Sequence, residues 1–459
     1  MGERMPGRDP NTDCARMNDV DSSAECHTDV TKMQEDREQQ TNTINEAGTA
    51  VSKSCGHRAR RRIWLRRSGK VLSLVLAVLM LMNLAWDLLY IHRNYDEDRI
   101  IGFFNEPDDS LDVVLIGASD ISRAYSSGLA YKDYGITSYP FTINGDAVQV
   151  WQAQLDEAMR RQNPDAVVIE VNGALYSASE EKDFHMHQTA VERMALHLPL
   201  LSPIRLQLIE EYLASTKDWN SALRLLLPIY EYHSHQPGGI GSAVATVWDN
   251  LHFGTDNEGV STLRGLETIT GPAVQCDLVP GIEKSNEAED LDPVYEKALR
   301  KFLKHCKKKY PKTNIIFVRA PHLFAKGDER MLRIYRRTNR IAEIFDEYGY
   351  TFLNFEKMKG QVGIDEKTDF YDTNHLNVSG MRKFTKYFSE YLLSHGVTAS
   401  GGELEEKAKR QWEHTARYTD LFLQYYDRLQ AEGVVNKDLF ECSEVLEVLW
   451  EMDAEDDAL

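Results

Sequence analysis

Two short segments carry residue types that together could make a nucleophilic site. Gly-Ala-Ser-Asp, Gly117 to Asp120, directly follows an apolar run. A serine where a strand ends and a helix begins presents its hydroxyl at the rim of a sheet, beside N–H groups that a helix N-terminus leaves without intrahelical partners. Those donors suit an oxyanion. Asp-Thr-Asn-His-Leu-Asn, Asp372 to Asn377, precedes a helical pattern. An aspartate three residues before a histidine can accept the Nδ1 proton and turn Nε2 toward a serine, the arrangement of a triad. With an ordinary pKa of about 6.5, imidazole transfers protons well near neutrality. Ser119, Asp372 and His375 are thus the candidate nucleophile, orienting acid and base, and acyl-ester chemistry is what they fit. Taken singly, the same residues also read as helix caps and their neighbours.

Bringing segments some 250 positions apart together takes a sheet. Five apolar runs supply one: LDVVLIG (111–117), ITSYPFTI (136–143), AVVIEV (166–171), NIIFVRA (314–320) and TFLNF (351–355). Helical patterns separate them, after the first run, over 148–161, near 292–310, over 329–347 and near 378–395. Short β-branched runs alternating with helices predict an α/β class, a flavodoxin-like three-layer α/β/α arrangement with a mainly parallel five-stranded sheet. The domain is expected over 111–396, with an insertion at 174–291 between the third and fourth strands. That insertion falls over the carboxyl ends of the strands, where open α/β sheets bind ligands, and is expected to act as a lid or platform. From 403 to 459 the chain reads as an acidic helical extension with two packing helices.

Upstream, residues 71–86 carry no charge, and continuing to Ile91 gives a stretch of 21 residues, about the length that spans a ~30 Å hydrocarbon layer. A transmembrane helix over 71–91 is predicted. A cleaved secretory signal would need a shorter apolar region and a small-residue cleavage site; a buried core helix would show a polar face. Arg58, Arg60, Arg61, Arg62, Arg66, Arg67 and Lys70 precede the segment, while Asp96, Glu97 and Asp98 follow it. Positive flanks stay inside, so the N-terminus is expected in the cytoplasm and the bulk of the chain outside. Residues 1–60 lack aromatic residues and a periodic apolar face, which predicts a disordered cytoplasmic tail.

The formal charge is −19. Residues 1–70 hold 13 Lys and Arg against 11 Asp and Glu, or +2, which leaves −21 for the remainder and argues against a nucleic-acid partner. The basic groups at Lys307 to Lys309 and at Arg333, Arg336, Arg337 and Arg340 lie within helical patterns and read as solvated faces. Six cysteines divide three and three about the apolar segment, so at most one disulfide, such as Cys276 to Cys306, could form outside. No metal-ligand spacing and no cofactor motif stands out. The pairs His185/His187 and His233/His235 read as surface histidines.

The placement of the serine after the first strand and of the Asp-x-x-His before the last helix resembles the SGNH/GDSL hydrolases over roughly 111–396. VVLIGASDISRAY, YGITSYPFTINGDAVQVWQAQLDEAMRRQNPDAVVIEV and DTNHLNVSGMRKFTKYFSEYL are similar to a membrane-anchored bacterial branch that includes the D-alanyl-lipoteichoic acid transfer proteins and polysaccharide O-acetyltransferase/esterase proteins. The resemblance implies ester chemistry on acetyl or D-alanyl groups of a cell-envelope polysaccharide or teichoic acid-like polymer, with a membrane-bound O-acyltransferase as donor partner. It implies oxyanion donors at Gly145, in INGDAVQ, and at Asn172, in VIEVNGAL. The first block reads GASD where many members have GDS or GSSH, and the third lacks a clear G-x-N-D. The competing expectation is a non-catalytic module that uses the same cleft to bind or position an envelope polymer beside a membrane acyltransferase.

Overall fold

A computed structural model describes residues 66–82, 84–85, 88–89, 95–199, 202–227, 240–252, 263–267, 273–402 and 404–432. The chain divides into two compact units, Met1–Leu79 and Met80–Leu459. Of the first, residues 66–79 are described and are helical.

In the second unit the described elements run, in chain order, α1 (Tyr95–Asn105), β1 (Val113–Gly117), α2 (Ser119–Ser122), α3 (Ser127–Tyr134), β2 (Ser138–Thr142), α4 (Trp151–Arg161) and β3 (Ala166–Glu170). The insertion follows as α5 (Ala178–Phe184), α6 (Met186–His197), α7 (Pro203–Thr216), α8 (Trp219–Leu226) and α9 (Ile240–His252). The chain then returns through α10 (Pro293–Lys309), β4 (Asn314–Arg319), α11 (Glu329–Glu347), β5 (Thr351–Asn354), α12 (Phe355–Val362), α13 (Val378–Ser394) and α14 (Glu406–Ala431).

All five strands pair in parallel in the order β2-β1-β3-β4-β5, a flavodoxin-like order whose switch point lies between β1 and β3. Side chains alternate between the two faces with period two. Val114, Ile116, Val167, Ile169 and Phe317 join one core, with residues of α1, α4, α10 and α11. Val113, Leu115, Val168, Ile316 and Val318 join the other, with residues of α12 and α13. Both faces are therefore covered, which is why the strand sequences are apolar throughout instead of alternating.

Local chemistry fixes the helix starts. Asp328 accepts the Met331 N–H ahead of α11, Asp292 caps α10 with Pro293 in its first turn, and Asn377 accepts the Gly380 N–H ahead of α13. Each satisfies an N–H that has no intrahelical acceptor. On α11, Met331, Ile334, Thr338, Ile341 and Phe345 are buried at helical spacing, the stripe that seats it on the sheet.

Two expectations need correction, the start of the helix after β2 and the setting of Arg337. The helix expected from Val148 begins at Trp151; the residues before it form a turn in which the Val150 N–H donates to the Ala147 carbonyl at 2.8 Å and the Val148 N–H to the Gly173 carbonyl at 3.0 Å. Cys276 and Cys306 are free thiols; Cys306 faces inward on α10 and is fully buried, whereas Cys276 is exposed. Arg337 is not part of a solvated face. It is buried, donating to the Leu175 carbonyl at 2.9 Å and to Glu180 at 3.2 Å. Among the described residues no helix is long and apolar enough to cross a membrane. The predicted span runs through positions 83, 86, 87, 90 and 91, which lie outside the described residues, as do the expected tail over 1–60, His233, His235 and the second helix of the C-terminal extension.

Candidate active site

The serine is placed by the way β1 ends. Gly117 has φ of 144°, and a Cβ there would sit 2.6 Å from the Glu170 Cβ on β3, so only glycine lets the chain leave the sheet at this point. Ala118 is extended and α2 starts at Ser119. The serine thus stands at the carboxyl end of β1, at the switch point where the flanking crossovers run to opposite faces.

Asp372 and His375 sit in a loop held from several sides. Asp372 Oδ1 accepts the N–H groups of Asn374 at 2.7 Å and His375 at 2.8 Å, an Asx-type turn. The Tyr371 N–H donates to the His375 carbonyl at 3.0 Å, and the Leu323 N–H, from the loop after β4, donates to the Thr373 carbonyl at 2.8 Å. Behind the loop, Gly380 on α13 packs against Asp369 so closely that a Cβ would lie 2.4 Å from the Asp369 carbonyl oxygen.

The three side chains meet. Ser119 Oγ is 2.9 Å from His375 Nε2, and His375 Nδ1 is 2.8 Å from Asp372 Oδ2 and 3.0 Å from Oδ1. A carboxylate on Nδ1 keeps the hydrogen there and leaves Nε2 as the acceptor for the serine hydroxyl. Burial pushes the Asp372 carboxyl up, but the hydrogen bond and charge of His375 outweigh it and hold it below the usual range, so it is ionised near neutrality.

Ser119 and His375 open onto a cavity of about 170 Å³ whose walls include Gly145, Asn172, Tyr176, Met186, His322 and Arg330. Both residues singled out as oxyanion donors therefore line the same cavity as Ser119. Gly145 has φ of 69°, and a Cβ there would meet the Met186 sulfur at 2.8 Å, which explains the glycine independently of any donor role. The Asn172 amide nitrogen lies 3.2 Å from both Asp120 Oδ2 and the Tyr176 hydroxyl, and its oxygen accepts from Arg319 at 2.9 Å. Donating to a substrate oxygen would mean leaving one of those partners.

Sequence reasoning missed the polar layer beneath this cavity. Asp120, Glu170, Arg319, His322 and Glu356 are all buried. Arg319 bridges Glu356 at 2.8 Å and Glu170 at 3.3 Å. His322 Nε2 reaches Asp120 at 2.6 Å, while its Nδ1 reaches the Ala320 carbonyl at 2.7 Å and Glu356 at 3.2 Å. Burial, with Asp120 close by, raises the Glu170 carboxyl; burial also disfavours ionised Glu356 and Asp120, but Arg319 and His322 prevail and both lie below the usual range. A signal was present: Glu170 and Arg319 are charges at the carboxyl ends of otherwise apolar runs, AVVIE and NIIFVR, a position that no solvated strand end requires.

No family model and no curated protein matches the chain. Among solved structures, the crystal structure of a protein from Lactobacillus plantarum is similar at 12% identity over 63% of this chain and 99% of its own length, with a TM-score of 0.29. A likeness at that score says nothing about chemistry.

Proposed function

We propose that this chain is a membrane-anchored serine esterase or O-acyltransferase of the SGNH/GDSL type, acting on acetyl or D-alanyl esters of a cell-envelope polymer. One observation carries the reading: Ser119, His375 and Asp372 stand in hydrogen-bonded order, 2.9 and 2.8 Å apart, at the carboxyl edge of a parallel sheet. The anchor is the apolar segment 71–91, with the N-terminus in the cytoplasm and the α/β domain outside, supported by the basic residues before that segment and the acids after it.

In this reading the Ser119 oxygen attacks the acyl carbon while its proton passes to His375 Nε2. The tetrahedral oxyanion is met by backbone N–H groups at the start of α2 and at Gly145, with Asn172 as the side-chain donor once its NH2 has turned from the Tyr176 hydroxyl while Asp120 keeps the other hydrogen. Collapse breaks the ester bond, His375 returns the proton to the leaving alkoxide, and the acyl group stays on Ser119. Water or a sugar hydroxyl then attacks, giving up its proton to His375; collapse breaks the bond between Ser119 Oγ and the acyl carbon, His375 returns that proton to Oγ, and the acyl group leaves as acid or as a new ester. The difference between esterase and transferase lies in which acceptor reaches the cavity, a choice we assign to the insertion, whose Met186 lines it.

A non-catalytic polymer-binding module is the second reading, favoured by the engagement of the Asn172 amide with Asp120 and Tyr176. Labelling of the full chain with a fluorophosphonate separates the two. Covalent, stoichiometric modification of Ser119, abolished in Ser119→Ala and His375→Ala, is expected. A folded protein left unmodified would exclude the enzyme.

A further inference from the structure

The cavity holds two histidines in different hydrogen-bonding situations. His375 Nε2 faces a hydroxyl, which can donate to it. His322 faces acceptors on both sides: the Ala320 carbonyl and Glu356 at Nδ1, and Asp120 at Nε2. A carbonyl oxygen only accepts, so Nδ1 carries a hydrogen, and a carboxylate at 2.6 Å places a second one in the Nε2 contact. Asp120 follows Ser119 directly, and its other oxygen holds the Asn172 amide. His322 is thus linked through one carboxylate to both the nucleophile turn and the side-chain donor.

We propose that His322 is a positioning residue for Ser119: as an imidazolium it clamps Asp120, and through Asp120 the Ser119 turn and the Asn172 amide, so that reaction needs His375 neutral and His322 charged at once. This rests on the serine-hydrolase reading above. The groups facing His322 come from every element around it: Asp120 from α2, Glu170 from β3, Arg319 from β4, Glu356 and Lys359 from α12, and His375 across the cavity. Lys359 donates to the His322 carbonyl at 3.1 Å and is itself paired with Glu366, so its charge is met outside the ring. Burial and Arg319 work against charge on the imidazole, but Asp120 and Glu356 outweigh them, and its pKa lies above the ordinary value of 6.5. When the ring loses its Nε2 proton, a lone pair faces the Asp120 carboxylate. Asp120 then turns away, releasing the Asn172 amide and the Ser119 turn.

The sign of the effect is definite. His375 must be deprotonated to act as base, which gives an acid limb; His322 must stay protonated, which gives an alkaline limb above the ordinary histidine range. The rate of fluorophosphonate labelling of the full chain in detergent, followed against pH, reads both limbs. The wild type should rise and then fall at least threefold. His322→Gln keeps a donor toward Asp120 without a titrating proton, so it should label more slowly at neutrality and lose the alkaline limb. His322→Lys should move that limb to higher pH, and it serves as the test if the glutamine variant does not fold. A wild type labelled at a rate that rises and never falls would overturn the inference alone, as would an alkaline limb unchanged in both variants. A folded wild type unlabelled at every pH would sink the serine-nucleophile reading and this inference with it.

Discussion

Replacing Asp372 by asparagine tests the triad most sharply, because the structure dictates how the new amide must sit. Asp372 Oδ1 accepts two backbone N–H groups, at 2.7 and 2.8 Å. The asparagine carbonyl has to stay there, since the reverse orientation would set an NH2 against two donors. Its NH2 then occupies the place of Oδ2, the nearer of the two oxygens to His375 Nδ1 at 2.8 Å against 3.0 Å, and favours that nitrogen as an acceptor. The ring proton moves to Nε2, 2.9 Å from Ser119 Oγ, where it blocks the proton transfer that activates the serine. A triad held in the wrong tautomer loses about 10⁴ in rate, or about 5 kcal/mol of transition-state stabilisation. Because both backbone hydrogen bonds survive, stability should change by less than about 1 kcal/mol. Hydrolysis of p-nitrophenyl acetate by the purified full chain, beside thermal melts followed by circular dichroism, measures both quantities. An Asp372→Asn protein that melts like the wild type and keeps more than a tenth of its rate would refute the reasoning.

Gly117→Ala should lower the melting temperature on the order of 5 °C, since a side chain there meets β3 at 2.6 Å with φ of 144°; an unchanged melt would show that the β1 exit is not constrained. Arg319→Met leaves Glu170 and Glu356 buried without their shared cation and should cost roughly 3–5 kcal/mol near neutrality. Glu356 has a depressed pKa in the folded chain, so the stability it contributes is present above its unfolded value and lost as pH falls through the folded one. Without Arg319 that pKa rises, and the deficit of the variant should shrink as the medium is acidified and the carboxyls take up protons; a deficit independent of pH would contradict the charge argument. For topology, a cysteine placed near position 110 should react with an impermeant thiol reagent on intact cells while Cys14 stays protected, and the reverse pattern would overturn the outward orientation.

The strands were legible because a parallel sheet buried on both faces writes itself as short, uninterrupted apolar runs. LDVVLIG, AVVIEV and NIIFVRA each overlap an observed strand to within two residues at either end. Ser119 and the Asp372/His375 pair were legible for a related reason, since strand ends and helix starts are where side chains project at the rim of such a sheet. The start of α4 was misread because Val148, three and seven residues before Trp151 and Leu155, continues their helical face, while the hydrogen bond that ties Val148 to Gly173 joins segments 25 residues apart. Arg337 was misread because a charge at helical spacing looks solvated until the acid that receives it, Glu180 at the start of the insertion, is brought beside it.

By itself the sequence determined the α/β class, the order in which strands and helices occur, and the two segments that could do chemistry, because each is a property of local composition and spacing. Tertiary structure alone decided that Ser119 and His375, 256 positions apart, lie 2.9 Å from each other. It also decided that Asn172 is held by Asp120, and that five ionisable side chains share one buried layer under the cavity. The physical reason is that a buried charge is tolerable only with its partner in place. Those partners come from α2, β3, β4, the loop after β4 and α12, whose neighbourhood is fixed by the packing of the sheet and not by any pattern within one stretch of chain.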